Sequence, residues 1–343
     1  MQHEISAPLP LHGRSGQLME EGWARQPYWR YERNATGASS IRIKEWDYFA
    51  VISPEGFAIT FTTSNLGYAG LFAVCFVDLQ TSRFWQVDDL EVLPLGRRAF
   101  PPTASGGSIS FASKKLAIQI DHGERLHTLQ FSCEQLRGPQ GAGLQGEIEF
   151  SQEPGGESLS IATSWAENRK AFYYNTKVNC LKASGHFTLG GKRYDLRPDR
   201  DLGVLDWGRG VWTYRNTWYW SSASGYIEGV PFGFNLGYGF SDRSRVSENC
   251  LVYAGKLHKL AEVSFEFDRA NWLKDWRVCS EDRRVELTFK PAVDRNSHVN
   301  FLLIASEQHQ VFGHFTGKVT LDDGRVLELV DFAGFAEEVR NRW

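Results

Sequence analysis

The segment Leu205-Asp206-Trp207-Gly208-Arg209-Gly210-Val211-Trp212 sets a carboxylate and a guanidinium among large apolar side chains. Neither charge is cheaply buried alone, so Asp206 and Arg209 are expected to pair with each other or with near partners. Two accounts fit. The pair is a structural ion pair pinning the junction between two domains, or Asp206 is an acid in a ring-walled cavity. There, desolvation raises a carboxyl towards the range useful for proton donation. Trp207, Trp212, Trp218 and Trp220, with Tyr214 and Tyr219, crowd the same stretch. Trp218 and Trp220 share one strand face, and Trp207 is expected to approach them from the junction. Asn235, within Asn235-Leu236-Gly237-Tyr238, and Glu248, just before Cys250, are further polar candidates, although turn or strand-edge hydrogen bonding accounts for each equally. The catalytic candidates are therefore Asp206, Arg209 and Glu248; Trp207, Trp218, Trp220, Asn235 and Tyr238 are the substrate-binding candidates.

Other chemistries lack their residues. Thirty-eight basic against forty-one acidic side chains leave a formal charge of -3, without the basic surplus a nucleic-acid partner requires. Gly141-Ala142-Gly143-Leu144-Gln145-Gly146 fits a dinucleotide-loop spacing, but alternating Glu147-Ile148-Glu149-Phe150 follows where a helix N-terminus is needed. No phosphate loop, nucleophile elbow or H-E-x-x-H pair occurs, so any reaction is expected to be cofactor-free. The closest histidine pairs, His122 with His127 and His309 with His314, are five apart. On one strand that spacing separates the partners onto opposite faces, which argues against a shared metal. Five scattered cysteines, no signal-like N-terminus and no long apolar run point to a cytoplasmic protein without integral membrane association. The oligomeric state is left open.

The elements that must position these groups read as strands. Leu126-His127-Thr128-Leu129-Gln130-Phe131, Val263-Ser264-Phe265-Glu266-Phe267 and Val285-Glu286-Leu287-Thr288-Phe289 alternate apolar and polar, as half-buried antiparallel strands do. Gly190-Gly191 and Asp322-Asp323-Gly324 mark hairpins. Helical signals are scarce, with short turns expected only within 17–26 and 337–342. Trp46-Asp47-Tyr48-Phe49 precedes Asn65-Leu66-Gly67-Tyr68 much as Trp218-Tyr219-Trp220 precedes Asn235-Leu236-Gly237-Tyr238, half a chain later. That offset predicts a mostly β protein of two tandem, related antiparallel β-barrels packed together, with two sandwiches as the alternative. The expected division is 1–195, a leader and first barrel, and 196–343, the second.

Lys44-Glu45-Trp46-Asp47-Tyr48-Phe49, Asp206-Trp207-Gly208-Arg209-Gly210, Trp218-Tyr219-Trp220, Asn235-Leu236-Gly237, Glu248-Asn249 and the terminal Arg342-Trp343 together resemble the DUF2804 family, whose activity is unassigned. More distantly, Gly185-His186-Phe187-Thr188-Leu189-Gly190-Gly191 leading into Asp206-Trp207-Gly208 resembles the AttH-like and carotenoid 1,2-hydratase superfamily. That resemblance implies a pair of lipocalin-like barrels. The hydratase motif runs approximately Asp-His-x-Trp-Gly; here Asp206 takes the Asp position, the His is missing and Trp207 stands early. The expected function is a double barrel enclosing an apolar, lipid- or isoprenoid-like ligand and acting on it by acid catalysis as a hydratase, isomerase or cyclase. In that scheme Asp206 donates the proton, Arg209 orients it and the indoles stabilise a carbocation. The alternatives are a non-catalytic lipid carrier and a carbohydrate-active lyase or hydrolase using Asp206 and Glu248.

Overall fold

The computed structural model describes residues 2–94, 98, 100–301 and 304–342. Trp343, half of the terminal Arg-Trp pair, lies outside them. A leader carries three short strands, β1 (Leu9–Pro10), β2 (Gly22–Ala24) and β3 (Trp29–Arg30). A four-strand meander follows: β4 (Ile43–Ser53), β5 (Phe57–Asn65), β6 (Ala69–Asp78) and β7 (Arg83–Val92). A second run comprises β8 (Gly107–Ala112), β9 (Ala117–His122), β10 (Leu126–Gly138), β11 (Gly141–Ser151), β12 (Leu159–Trp165), β13 (Asn168–Leu189) and β14 (Lys192–Leu196). Strand β15 (Leu202–Val211) then inserts between β4 and β13, giving the order β7-β6-β5-β4-β15-β13-β11-β10-β9-β8.

The second sheet starts with its own meander, β16 (Arg215–Ile227), β17 (Val230–Tyr238), β18 (Cys250–Tyr253) and β19 (Lys256–Lys259). It continues through β20 (Val263–Glu266), β21 (Trp276–Ser280), β22 (Val285–Phe301), β23 (Ile304–Thr320) and β24 (Val326–Arg342). Its order, β19-β18-β17-β16-β24-β23-β22-β21-β20, reproduces that of the first from β7 through β9 once β15 is matched with β24 and β13 with β23, leaving only β8 of that order without a counterpart. The architecture is thus two tandem antiparallel barrels, as the half-chain offset predicted. The matching motif is less regular than the topology. Trp46 opposes Ser64, one residue before Asn65, whereas Trp218 lies one residue beyond the Tyr219–Tyr238 pair. The two Trp positions are therefore not equivalent.

Each sheet curls until distant strands touch, β7 against β10 and β17 against β20, while the outermost strands stay unpaired with one another. Both barrel interiors are packed with side chains, the first around Phe49, Phe61, Phe150 and Trp207, the second around Phe234, Trp276, Phe289 and Phe315. Two further apolar clusters lie between the sheets. One joins Trp23, Trp165, Tyr173 and Trp212 to Phe240 and Val252; the other joins Tyr48, Ala50 and Val204 to Trp220, Phe312 and Phe335. The leader straps the barrels together. β2 extends the first sheet beside β12, while Arg25 bonds both Glu157 (2.9 Å) and the Leu257 carbonyl (2.6 Å) of the second.

Three expectations need correcting. The division between residues 195 and 196 falls within the strands of the first sheet, because β15 finds its two neighbours there; the change of sheet comes between Val211 and Arg215. No α-helix occurs among the described residues. Residues 337–342 lie in β24 and part of 17–26 in β2, because pairing with neighbouring strands overrides weak local helical preference. The hairpins at Gly190-Gly191 and Gly324 form as expected, with φ of 58°, 83° and 84°.

One glycine shows how tightly the seam is packed. A Cβ on Gly208 would overlap the Trp46 indole, which stacks on Tyr173 at 6.0 Å between ring centroids. Gly208→Ala is therefore expected to lower stability by about 1–3 kcal/mol through forced displacement of that ring. Thermal melting monitored by Trp fluorescence would check it, and an unchanged midpoint would contradict the packing.

Candidate functional site

Strand parity decides which chemistry the Asp206–Arg209 segment performs. Alternate residues of a strand face opposite sides, so a separation of three sends Asp206 and Arg209 apart. Arg209 and Trp207 enter the first barrel, and both are fully buried. Arg209 Nη1 donates to Asp47 Oδ1 (2.8 Å) and the Trp46 carbonyl (2.9 Å), Nη2 donates to the Pro101 carbonyl (2.8 Å), and the guanidinium lies 4.0 Å over the Trp207 ring. His122 Nε2 meets the other Asp47 oxygen at 2.8 Å. Burial opposes ionisation of Asp47, but Arg209 and His122 outweigh it and hold the carboxyl below its ordinary value. The expected Asp206–Arg209 pair does not form, and Trp207 does not reach the other indoles.

His122 and His127, expected on opposite faces, are instead directly opposed across the β9–β10 hairpin, with Nδ1 atoms 3.1 Å apart. The turn between them reverses the chain and restores a common face. Even so, no cluster of three or more His, Cys, Asp or Glu suited to a metal occurs among the described residues.

Asp206 faces the second sheet, and a buried polar cluster forms around it. Lys177 Nζ on β13 lies 2.9 Å from Asp206 Oδ2 and 3.9 Å from Glu248 Oε2, and 4.0 Å over the Trp220 ring. Asn175 Nδ2 donates to Asp206 Oδ1 (2.5 Å), and the Tyr173 hydroxyl donates to Glu248 Oε2 (2.8 Å). From the second sheet comes Glu337 on β24. Trp218 Nε1 donates to its Oε1 (2.8 Å) and Gln310 Nε2 to its Oε2 (2.9 Å). Gln310 Oε1 in turn accepts from Arg295 Nη1 (2.6 Å). Asn235 ties the cluster to its strands, accepting from Trp220 Nε1 (2.6 Å) and donating to the Glu248 carbonyl (2.7 Å). Gly237 leaves the space Glu248 occupies, since a Cβ there would overlap the carboxylate.

Three carboxyls thus gather around Lys177, with Arg295 beyond Gln310 as a second cation. Burial pushes the Glu337 carboxyl up to about 7, against the Trp218 hydrogen bond and the Lys177 and Arg295 charges, which lower it. Glu248 is also raised, by burial first, with Lys177 opposing. Such an arrangement holds one proton ready on a carboxyl near neutral pH.

The register aligns Glu337 with a cleft further along the same strands. On β16, β24 and β23, Asn216, Asn341 and Ser306 form one cross-strand row, and Trp220, Glu337 and Gln310 form another on the same face. The outer row lines a cleft of about 780 Å³ between the barrels, together with Trp165, Phe240 and Ser241. Four residues of strand, roughly 13 Å, separate the cleft row from Glu337. Trp212 packs between, 5.2 Å from Trp165, 5.4 Å from Phe240 and 5.4 Å from Trp218.

Asp206, Glu248, Trp218, Trp220 and Asn235 are therefore brought together, while Arg209, Trp207 and Tyr238 are not. Tyr238 stacks on Tyr219 at 4.4 Å and accepts from the Phe265 amide (3.1 Å), on the second barrel's own side of β17. Lys177, Glu337 and Gln310 escaped sequence reasoning. The signal for Glu337 was present, as Glu337, Val339 and Asn341 alternate with Glu338, Arg340 and Arg342, but it was read as helix.

The DUF2804 family, a domain of unknown function, matches residues 2–343, and the chain belongs to it. No curated protein matches the sequence. Among solved structures, kievitone hydratase from Nectria haematococca is similar at 10% identity over 88% of each chain, with a TM-score of 0.50. CghA is similar at 11% identity over 88% of each chain, also with a TM-score of 0.50. A Nitrosomonas europaea structure carrying the AttH name matches at 14% identity over 87% of this chain and 92% of its own, with a TM-score of 0.46. At these identities the shared property is the fold, two lipocalin-like barrels in tandem. No helix among the described residues is long and apolar enough to cross a membrane.

The Arg209–Asp47 pair is structural, and removing one partner strands the other charge. Asp47→Ala is expected to cost about 3–5 kcal/mol, read as a lowered urea midpoint. A variant as stable as the parent would show that Arg209 is not held by Asp47.

Proposed function

We propose that this DUF2804 protein is a cofactor-free acid catalyst that protonates an unsaturated small molecule at the seam between its barrels, leading to hydration, isomerisation or cyclisation. The observation that carries this reading is the Glu337 carboxyl: buried, fixed by Trp218 and Gln310, and raised to about 7. Asp206, first expected to be the proton donor, is ion-paired with Lys177 and takes another part. Glu337 transfers its proton to one carbon of the double bond, whose π electrons form the new C–H bond. The adjacent carbon becomes cationic, and the faces of Trp218 and Trp220 stabilise it. In hydration, a water oxygen bonds to that carbon and a water proton returns to the Glu337 carboxylate, which restores the acid. Transfer of a neighbouring C–H proton to the Glu337 carboxylate, with the C–H electrons forming the new double bond, instead gives isomerisation.

Asp206 and Asn175 supply the groups that orient the water. The Asn175 side-chain oxygen is buried and has no hydrogen-bond partner among the described residues, so it presents an acceptor beside the carboxylate. Kievitone hydratase, built on the same architecture, is named for this reaction class. The barrel interiors are filled, and the open cleft lies between the barrels. The carbohydrate-active alternative lacks support, since Asp206 and Glu248 face a common lysine and not an open trough.

Because the protonated form of Glu337 is required, activity should be full below about 7 and fall as pH rises through that value. Incubation in deuterated water with terpenoid and phenolic alkenes, and with any molecule that co-purifies, should give deuterated product by mass spectrometry. Glu337→Gln should reduce the rate by about 10²–10⁴-fold without loss of fold. Undiminished deuterium uptake in that variant, or none in the parent, would overturn the proposal. Stability offers an independent reading. A carboxyl raised on folding contributes stability below its unfolded value of 4.5 that is lost as pH climbs through about 7. The parent should therefore lose stability relative to Glu337→Gln across that interval, by about 2–3 kcal/mol.

A further inference from the structure

The cleft on the same strand face as Glu337 is lined largely by polar side chains, and two of its polar groups are incomplete. Asn341 is 6% exposed, and its Oδ1 has no hydrogen-bond partner among the described residues. Its orientation is set from the other end of the amide. Asn341 Nδ2 donates to Asn216 Oδ1 at 3.4 Å, and Asn216 Nδ2 donates to the Thr213 carbonyl at 3.0 Å. These bonds engage the amide nitrogen and leave the Asn341 oxygen as an acceptor. Ser241 Oγ, also lining the cleft, is buried and likewise without a partner among the described residues. A buried acceptor with no donor is costly to fold, and such a group persists where a ligand completes it.

We propose that the substrate is a hydroxylated unsaturated molecule, whose hydroxyl donates to Asn341 Oδ1 beside Ser241 and whose apolar chain reaches Glu337 by displacing the Trp212 and Trp218 rings that fill the space between. This rests on the catalytic reading for the fate of the double bond, but the hydroxyl contact is an affinity and stands separately. It narrows the ligand from the apolar class, since a bare hydrocarbon would leave both groups unsatisfied. The walls between mouth and acid suit the rest of such a molecule. Trp165, Phe240 and Trp212 are all buried rings in mutual contact. The roughly 13 Å from the Asn341 row to the Glu337 row is a span that an extended farnesol chain covers.

Farnesol and farnesene, which share a skeleton and differ by the hydroxyl, are the probes, with binding followed by quenching of Trp fluorescence. The parent protein should bind farnesol at least roughly tenfold more tightly than farnesene. Asn341→Leu should abolish the difference by weakening farnesol alone, and Asn341→Asp, which keeps an acceptor, should retain it. If Asn341→Leu does not fold, Ser241→Ala carries the test through a reduced preference. Equal affinities in the parent, binding of neither probe, or a preference that survives both Asn341→Leu and Ser241→Ala would overturn the assignment. The two readings fail separately. A farnesol preference without deuterium uptake from any substrate sinks only the catalysis, whereas uptake with equal affinities sinks only the hydroxyl contact.

Discussion

The structure depends on a single buried ammonium group. Lys177 comes from the first sheet, yet it lies against Asp206 of that sheet and against Glu248 and the Trp220 ring of the second. Removing three carboxyls from water is tolerable only if cations and hydrogen bonds compensate them or a proton neutralises them. Lys177, Arg295 and, towards Glu248, Lys259 do the first for part of the cluster, and Glu337 adopts the second course. The same electrostatic shortage that makes the seam hard to assemble keeps the Glu337 carboxyl raised. The stability of the seam is thus set by one charge balance.

That balance also explains the division of labour between the two charged centres. Inside the first barrel, Arg209, Asp47 and His122 satisfy one another with direct contacts of 2.8 Å, and the surrounding space is filled. At the seam, by contrast, the charges are unequal, an amide oxygen of Asn175 is unmatched, and a cleft lies within a few residues along the same strand faces. A saturated centre holds a core together. The seam centre, though buried, is left with a polar atom unmatched among the described residues.

Much of the architecture was legible because it rests on period-two alternation and on glycine turns, both local properties. The tandem relationship was legible through Asn65-Leu66-Gly67-Tyr68 and Asn235-Leu236-Gly237-Tyr238, and the strand orders of the two sheets agree with it. The seam cluster was half legible. Asp206, Trp218, Trp220, Asn235 and Glu248, singled out from motifs, lie in it, whereas Arg209 lies on the other side of its strand, as parity alone requires. Lys177 and Glu337 were missed because each meets the others only through sheet pairing: β13 with β15, and β24 with β16. The domain limit was misplaced for the same reason. Nothing local in Leu202–Val211 announces that its partners lie far upstream.

That late insertion of β15 has a consequence for biosynthesis. Its neighbour β4 ends at Ser53, so the first barrel keeps an open edge on β4 until the ribosome has released Val211. Vectorial synthesis therefore cannot complete the N-terminal half early and leave it waiting. A long nascent segment instead carries an unpaired, largely buried strand through much of translation.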